Sequence, residues 1–208
     1  MHMLSTARGV LLTAKKELRR SKIGLLYPDE PTGENWHENF IVHLASIVRP
    51  ETYVEFGLYE CAVFNRIIPY AQQLIGVDVQ ARAAEFMRVS DKVKFAHMTT
   101  EEFSQQLVHK PIAIDLLFID ADHSHATVLS DFRNMLPFIR PHGMILLHDT
   151  HPRDQASMDP GLCGDGWMAV EGLSLQTREY EMVTIPIHPG LTICRKRRSQ
   201  LSWKINSE

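Results

Sequence analysis

Apolar positions recur along the chain in two different rhythms. In "LSTARGVLLTAKKELRR", Leu4, Ala7, Leu11, Ala14 and Leu18 fall at steps of three and four. That spacing predicts an amphipathic helix, with Lys15, Lys16, Arg19 and Arg20 along its polar side. The breaker-rich stretch "YPDEPTGEN" ends it. A second helix follows, with Trp36, Phe40, Leu44 and Ile47 on one face and Pro50 as its stop. From residue 52 the rhythm changes to short apolar runs that end in glycine or acid: "TYVEFG", "LIGVDV", "KVKFAHM", "AIDLLFID" and "MILLHD". Helical patterns separate them: Cys61 to Ala71, "ARAAEFMRVS", "TTEEFSQQL" with a Thr99–Glu102 capping box, and Val128 to Ile139. "PHG" is read as the turn into the fifth run.

Strand and helix alternating in units of about 20–30 residues predict an α/β fold, a doubly wound and mostly parallel sheet. The continuous apolar run of "AIDLLFID" marks a strand buried on both faces. A helix around Trp167 to Leu173 and two last strands, "EMVTIPI" and "LTICRK", complete a seven-stranded sheet. Their short link through His188, Pro189 and Gly190 makes the last pair antiparallel. The expected organisation is a helical extension over 1–50 and one domain over 51–208.

Composition narrows the classes. The chain is 44% hydrophobic and 23% charged, enough apolar residues for a real core. A net charge of −3 gives no drive toward nucleic acid, and the basic Arg195–Arg198 end reads as a solvated terminus. No apolar stretch reaches the roughly 18 residues of a membrane span. The leading helix has its basic residues after its apolar part, the reverse of a signal peptide. Cys61, Cys163 and Cys194 follow neither a disulfide framework nor metal-ligand spacing, which fits a reducing cytoplasm. The Leu/Ala stripe of the leading helix permits a homo-oligomer.

Ligands of such sheets bind outside the carboxyl ends of the strands. Those ends are Glu55-Phe56-Gly57, Asp78, Asp120 and His148-Asp149. Charges are rarely buried without partners, so this gathering of carboxylates is a signal. Asp78 lies about 20 positions beyond Gly57, the distance at which an acid holds the hydroxyls of an adenosine ribose. The dinucleotide version of the turn needs three glycines, whereas "GLYECA" supplies one. Tyr59 and Cys61 stand where a pyrophosphate would approach the backbone. An adenosine cofactor without a pyrophosphate suits this turn better than NAD. A plain tight turn at Gly57 with a helix cap at Asp78 is the simpler alternative.

"YVEFGLYECAVF", "LIGVDV", "LLFIDADHSHATVLSDF" and "IRPHGMILLHD" together resemble successive motifs of class I S-adenosylmethionine-dependent methyltransferases. "FIDADHSHATVLSDF" followed by "HGMILLHDT" is similar to the branch of cephalosporin-hydroxylase-like and macrocin-type O-methyltransferases. The resemblance covers residues 52 to about 195 and implies a Rossmann-like fold. Cys61 departs from it, standing where the family carries a second glycine. By this resemblance Glu55, Gly57 and Tyr59 line the methionine side of the cofactor, and Asp78 holds the ribose. Met98 and Thr99 border the adenine, and Asp120 closes the pocket. The acceptor would be a small-molecule hydroxyl. A cofactor-binding scaffold without catalysis, and a nicotinamide enzyme on the same fold, are the other readings.

Asp120 and Asp149 end adjacent strands. Relatives in the branch bind a divalent metal at matching positions, which implies Asp120, His148 and Asp149 as ligands for an ion such as Mg²⁺. Such an ion lowers the pKa of a bound hydroxyl. His123 is the candidate general base, with Asp120 beside it. The other arrangement is a hydrogen-bonded network without metal. The loop Thr150 to Gly166 is too long for a connector and reads as a substrate lid, with His151, Arg153 and Asp154 suited to read a sugar or an acidic substrate; a surface loop without a role is the simpler alternative.

Overall fold

The computed structural model describes residues 35–175 and 179–197. The leading helix expected over residues 4–18, and any self-association through it, lie outside the described residues. Helix α1 (Trp36–Val48) opens the described chain and is followed by β1 (Thr52–Phe56), α2 (Phe64–Ile67), β2 (Gln73–Asp78), α3 (Ala83–Phe86) and β3 (Val93–His97). Then come α4 (Thr100–His109), β4 (Ile114–Ile119), α5 (His125–Met135), β5 (Ile139–His148), α6 (Trp167–Ser174), β6 (Tyr180–Ile185) and β7 (Leu191–Lys196). The sheet has seven strands in the order β3-β2-β1-β4-β5-β7-β6. The first five run parallel, and the β6–β7 hairpin adds to β5 antiparallel.

Side chains alternate across each strand and so build two apolar layers. Val54 and Phe56 of β1 join Val77, Leu117 and Leu147 in one cluster with Phe103 and Leu107 of α4, Val128 and Phe132 of α5 and Leu173 of α6. Tyr53 points the other way, and its ring lies 6.1 Å from Phe64 of α2. On that same face His148 meets His37 of α1. Helices therefore cover both faces, as the pattern predicts. Each fully buried Leu or Phe contributes about 1.5–3 kcal/mol through lost water contact.

Three local expectations are revised. The stripe that α1 buries is His37, Ile41 and Ala45, while Ile47 is 65% exposed. The apolar set of α1 is wide, and the small Ala45 permits the closer approach along its own stripe. The helices after β1 and β2 shrink to single turns, Phe64–Ile67 and Ala83–Phe86. Strand β5 begins at Ile139, five residues early, because "PHG" is a bulge inside it and not a turn. Ile114 pairs with Ile139, and the register then shifts so that Leu116 pairs with Met144. The extra residues fold out at His142, whose φ is +70°. The capping box of α4 forms as expected: the Thr99 hydroxyl accepts from Glu102 N, and the Glu102 carboxylate accepts from Thr99 N.

Candidate active site

Gly57 ends β1 at φ +77°, in the left-handed region. A Cβ there would lie 2.3 Å from the Asp120 carbonyl oxygen, so the ends of β1 and β4 touch backbone to backbone. Beyond it the chain stays tightly wound: Tyr59 and Cys61 have φ of +47° and +56°. Side chains there cost about 1–2 kcal/mol each relative to glycine. The turn thus keeps a glycine-like backbone although the residues differ. Cys61 is fully buried and its thiol donates to the Ala83 carbonyl, which offsets part of that cost.

Asp78 ties this turn to β2. One carboxylate oxygen accepts from Leu58 N at 2.8 Å and lies 3.4 Å from Tyr59 N; the other accepts from Gln80 N at 2.7 Å. The oxygen that accepts from Gln80 keeps a lone pair for a further donor. An open cleft beside it is lined by Tyr59, Glu60, Asp78, Arg82 and Phe86. Met98 N donates to the Asp78 carbonyl, which brings the end of β3 alongside. Met98 is partly buried against the core, and the Thr99 side chain is occupied as a helix cap.

Glu55 sits behind the turn and is 2% exposed. Burial pushes its carboxyl up to about 8, against the opposing pull of the Tyr53 hydroxyl, which donates to it at 2.5 Å. Asp120 and Glu38 push it up further.

At the rim the strand ends bring four ionisable groups together. His148 Nδ1 lies 2.8 Å from Asp120 Oδ1 and 3.3 Å from Asp149 Oδ2. His123 Nδ1 lies 3.4 Å from Asp149 Oδ2, and its Nε2 4.0 Å from Asp120 Oδ1. Burial alone would lower the His148 pKa, but the two carboxylates reverse this and raise it to about 10. Asp149 is held below the usual carboxylate range: burial opposes its charge, and bonding to His148 outweighs burial. A charged His148 therefore relieves the repulsion between the carboxylates, as the network arrangement requires. One donor atom from each of Asp120, His123 and Asp149 also lies within 4.8 Å of the others, a set that suits a small cation. Oxygen-rich donors fit a hard divalent ion, and the imidazole adds a position that Mn²⁺ accepts readily. His148 stands behind this group, with its Nδ1 turned to both carboxylates.

The loop after β5 is docked on His123. Its Leu162 carbonyl meets His123 Nδ1, and Gly166 N donates to the His123 carbonyl at 2.8 Å. Asp165 accepts from His125 N at 2.5 Å. Cys163 bonds to Asp149, and burial together with that carboxylate pushes its thiol well up. His37 was not legible as part of this site. It is a lone histidine in an apolar helix pattern, and only the fold brings its ring to 4.2 Å from that of His148.

Comparison with known proteins agrees with this fold. The family model described as a methyltransferase domain matches residues 40–150. The chain belongs to that family of methyltransferase domains. Its structure is similar to the O-methyltransferase from Bacillus cereus in complex with SAH, at 16% identity, 88% of this chain, 90% of that chain and a TM-score of 0.66. It is also similar to the O-methyltransferase TomG from Streptomyces achromogenes, involved in tomaymycin synthesis and in complex with SAM. There the identity is 14%, covering 78% of this chain and 80% of that one, with a TM-score of 0.65. At such identities the likeness shows the fold. Uncharacterized protein y4gI of Sinorhizobium fredii is 25% identical over 99 residues, 47% of this chain. The chain spans 9% of that relative's length. No described helix is long and apolar enough to cross a membrane.

Proposed function

We propose that the protein transfers a methyl group from S-adenosylmethionine to a hydroxyl of a small molecule, at the rim formed by Asp120, His123 and Asp149. Glu55, Gly57 and Tyr59 flank the methionine part, Asp78 holds the ribose hydroxyls, and Met98 and Thr99 border the adenine. When bound, S-adenosylmethionine supplies an electrophilic methyl on a cationic sulfur. The chain's task is then to place the acceptor oxygen in line and remove its proton. His123 takes that proton, and Asp149, 3.4 Å from His123 Nδ1, steadies the imidazolium that results. A divalent cation held by Asp120, His123 and Asp149 would supply Lewis acidity to the acceptor hydroxyl. His123 ligates and deprotonates in alternative arrangements, not at once. The lid of residues 150–166 excludes water and frames the acceptor.

The observation that carries this reading is the convergence of the three rim donors within 4.8 Å, beside the backbone contact of Gly57 with Asp120. The unpaired, buried Cys61, Cys163 and Cys194 agree with a cytoplasmic location. Mn²⁺ titration followed by electron paramagnetic resonance tests the metal component directly. Wild type should bind one ion, and Asp149→Ala should bind it at least tenfold more weakly. If the wild type binds none with S-adenosylhomocysteine present, the rim is the metal-free network and His123 carries the deprotonation alone.

A further inference from the structure

His148 is largely enclosed, with its side chain 11% exposed, yet its hydrogen bonds hold only one edge of its ring. Nδ1 is engaged by Asp120 and Asp149, whereas Nε2 is buried and makes no hydrogen bond among the described residues. A ring anchored by one edge pivots unless its flanks are blocked. Phe118 of β4 blocks one, with ring centroids 6.0 Å apart at 79°. His37 of α1 blocks another, 4.2 Å away at 46°.

A histidine is a costly wall in an apolar stripe. His37 is 9% exposed, and its flat ring lies against the ring of His148. An aliphatic residue in the same stripe as Ile41 and Ala45 would fill space without a flat ring for His148 to rest on.

The geometry points to His37 as a positioning residue: its ring keeps His148 Nδ1 aimed at Asp120 and Asp149, and so fixes both carboxylates at the acceptor rim. This rests on the reading of the rim given above. Residues that orient a site's direct contacts in this manner typically matter 10–100-fold when removed. Helix α1 is thereby part of the site and not only a cover for the sheet.

Proton NMR in water reads the arrangement. The His148 Nδ1–H, bonded to a carboxylate, should give a far-downfield resonance, assigned by its loss in His148→Gln. In His37→Ala that resonance should vanish or exchange with water at least tenfold faster. His37→Phe should restore it, and both variants should bind S-adenosylhomocysteine within twofold of wild type. If His37→Ala does not fold, His37→Leu, which keeps bulk without a ring, takes its place in the comparison. An unchanged resonance in the ring-less variant, no rescue by phenylalanine, or no such resonance in wild type overturns the proposal. Mn²⁺ binding by wild type and Asp149→Ala is measured alongside. Failure there removes the metal reading of the rim and leaves the His37 result standing, and the reverse holds equally.

Discussion

Gly57 and Asp120 meet backbone to backbone at the carboxyl ends of β1 and β4, so closely that a Cβ on residue 57 would lie 2.3 Å from the Asp120 carbonyl oxygen. The contact sets the distance between the turn after β1 and the rim at Asp120. Asp120 N donates to the Phe56 carbonyl at 2.9 Å and fastens it. Gly57→Ala meets both a left-handed φ and a backbone clash that no rotamer relieves. It should cost about 3 kcal/mol or more of stability, read as a fall in the denaturant midpoint. A neutral effect would mean that the strand ends are further apart than described.

Asp78 binds the turn through Leu58, Tyr59 and Gln80 amides. Asp78→Ala should weaken S-adenosylhomocysteine binding by about 1.5–3 kcal/mol, the range for bonds to a charged group. Asp78→Asn should do no better. Its NH₂ would face a backbone N–H where an acceptor is needed. Calorimetric titration of the three proteins checks both statements.

Asp131 of α5 provides a stability test away from the rim. It is 3% exposed, and burial raises its carboxyl to about 6, against a bond from Thr100 that lowers it. A raised carboxylate pKa favours the protonated folded form. Its contribution is therefore fully present below pH about 3.8 and is lost as the pH rises through about 6. Asp131→Asn, always neutral, should gain on wild type over that window, by up to about 3 kcal/mol at pH 7. Denaturation at pH 4, 5, 6 and 7 should show the gap opening; a constant gap would place Asp131 in water.

Gly164 has a φ of +58°, and a Cβ there would lie 2.3 Å from the His123 carbonyl oxygen. Gly164→Ala should lift the lid from the head of α5 while leaving the cofactor side untouched. Methyl transfer should fall at least tenfold, with S-adenosylhomocysteine affinity within twofold of wild type. Loss of cofactor affinity in the folded variant would place the loop on the wrong side of the pocket.

Much of this site is written locally. Glu55, Gly57, Asp78, Asp120 and Asp149 each close an apolar run, and a parallel sheet gathers such ends on one rim wherever its helices settle. The alternation of runs and helices therefore places the rim before any contact is known. What stayed hidden depends on pairing at a distance. The bulge at 139–143 needs extra residues to fold out against a partner strand, and "PHG" looks the same in a turn. The buried stripe of α1 depends on which of several apolar faces meets the sheet, so His37 and its contact with His148 gave no signal. Docking of Leu162, Cys163 and Gly164 on the rim is likewise a tertiary fact. The long loop itself was legible from its sequence, its partners were not.

The most direct test of the account is calorimetric titration of the protein with S-adenosylhomocysteine and, in parallel, with NAD, each followed by thermal unfolding. One S-adenosylhomocysteine should bind per chain, with stability raised by about 2.7 kcal/mol at 100 times the dissociation constant, and NAD should give no response. No binding of S-adenosylhomocysteine at millimolar concentration, or preferential binding of NAD, would contradict it.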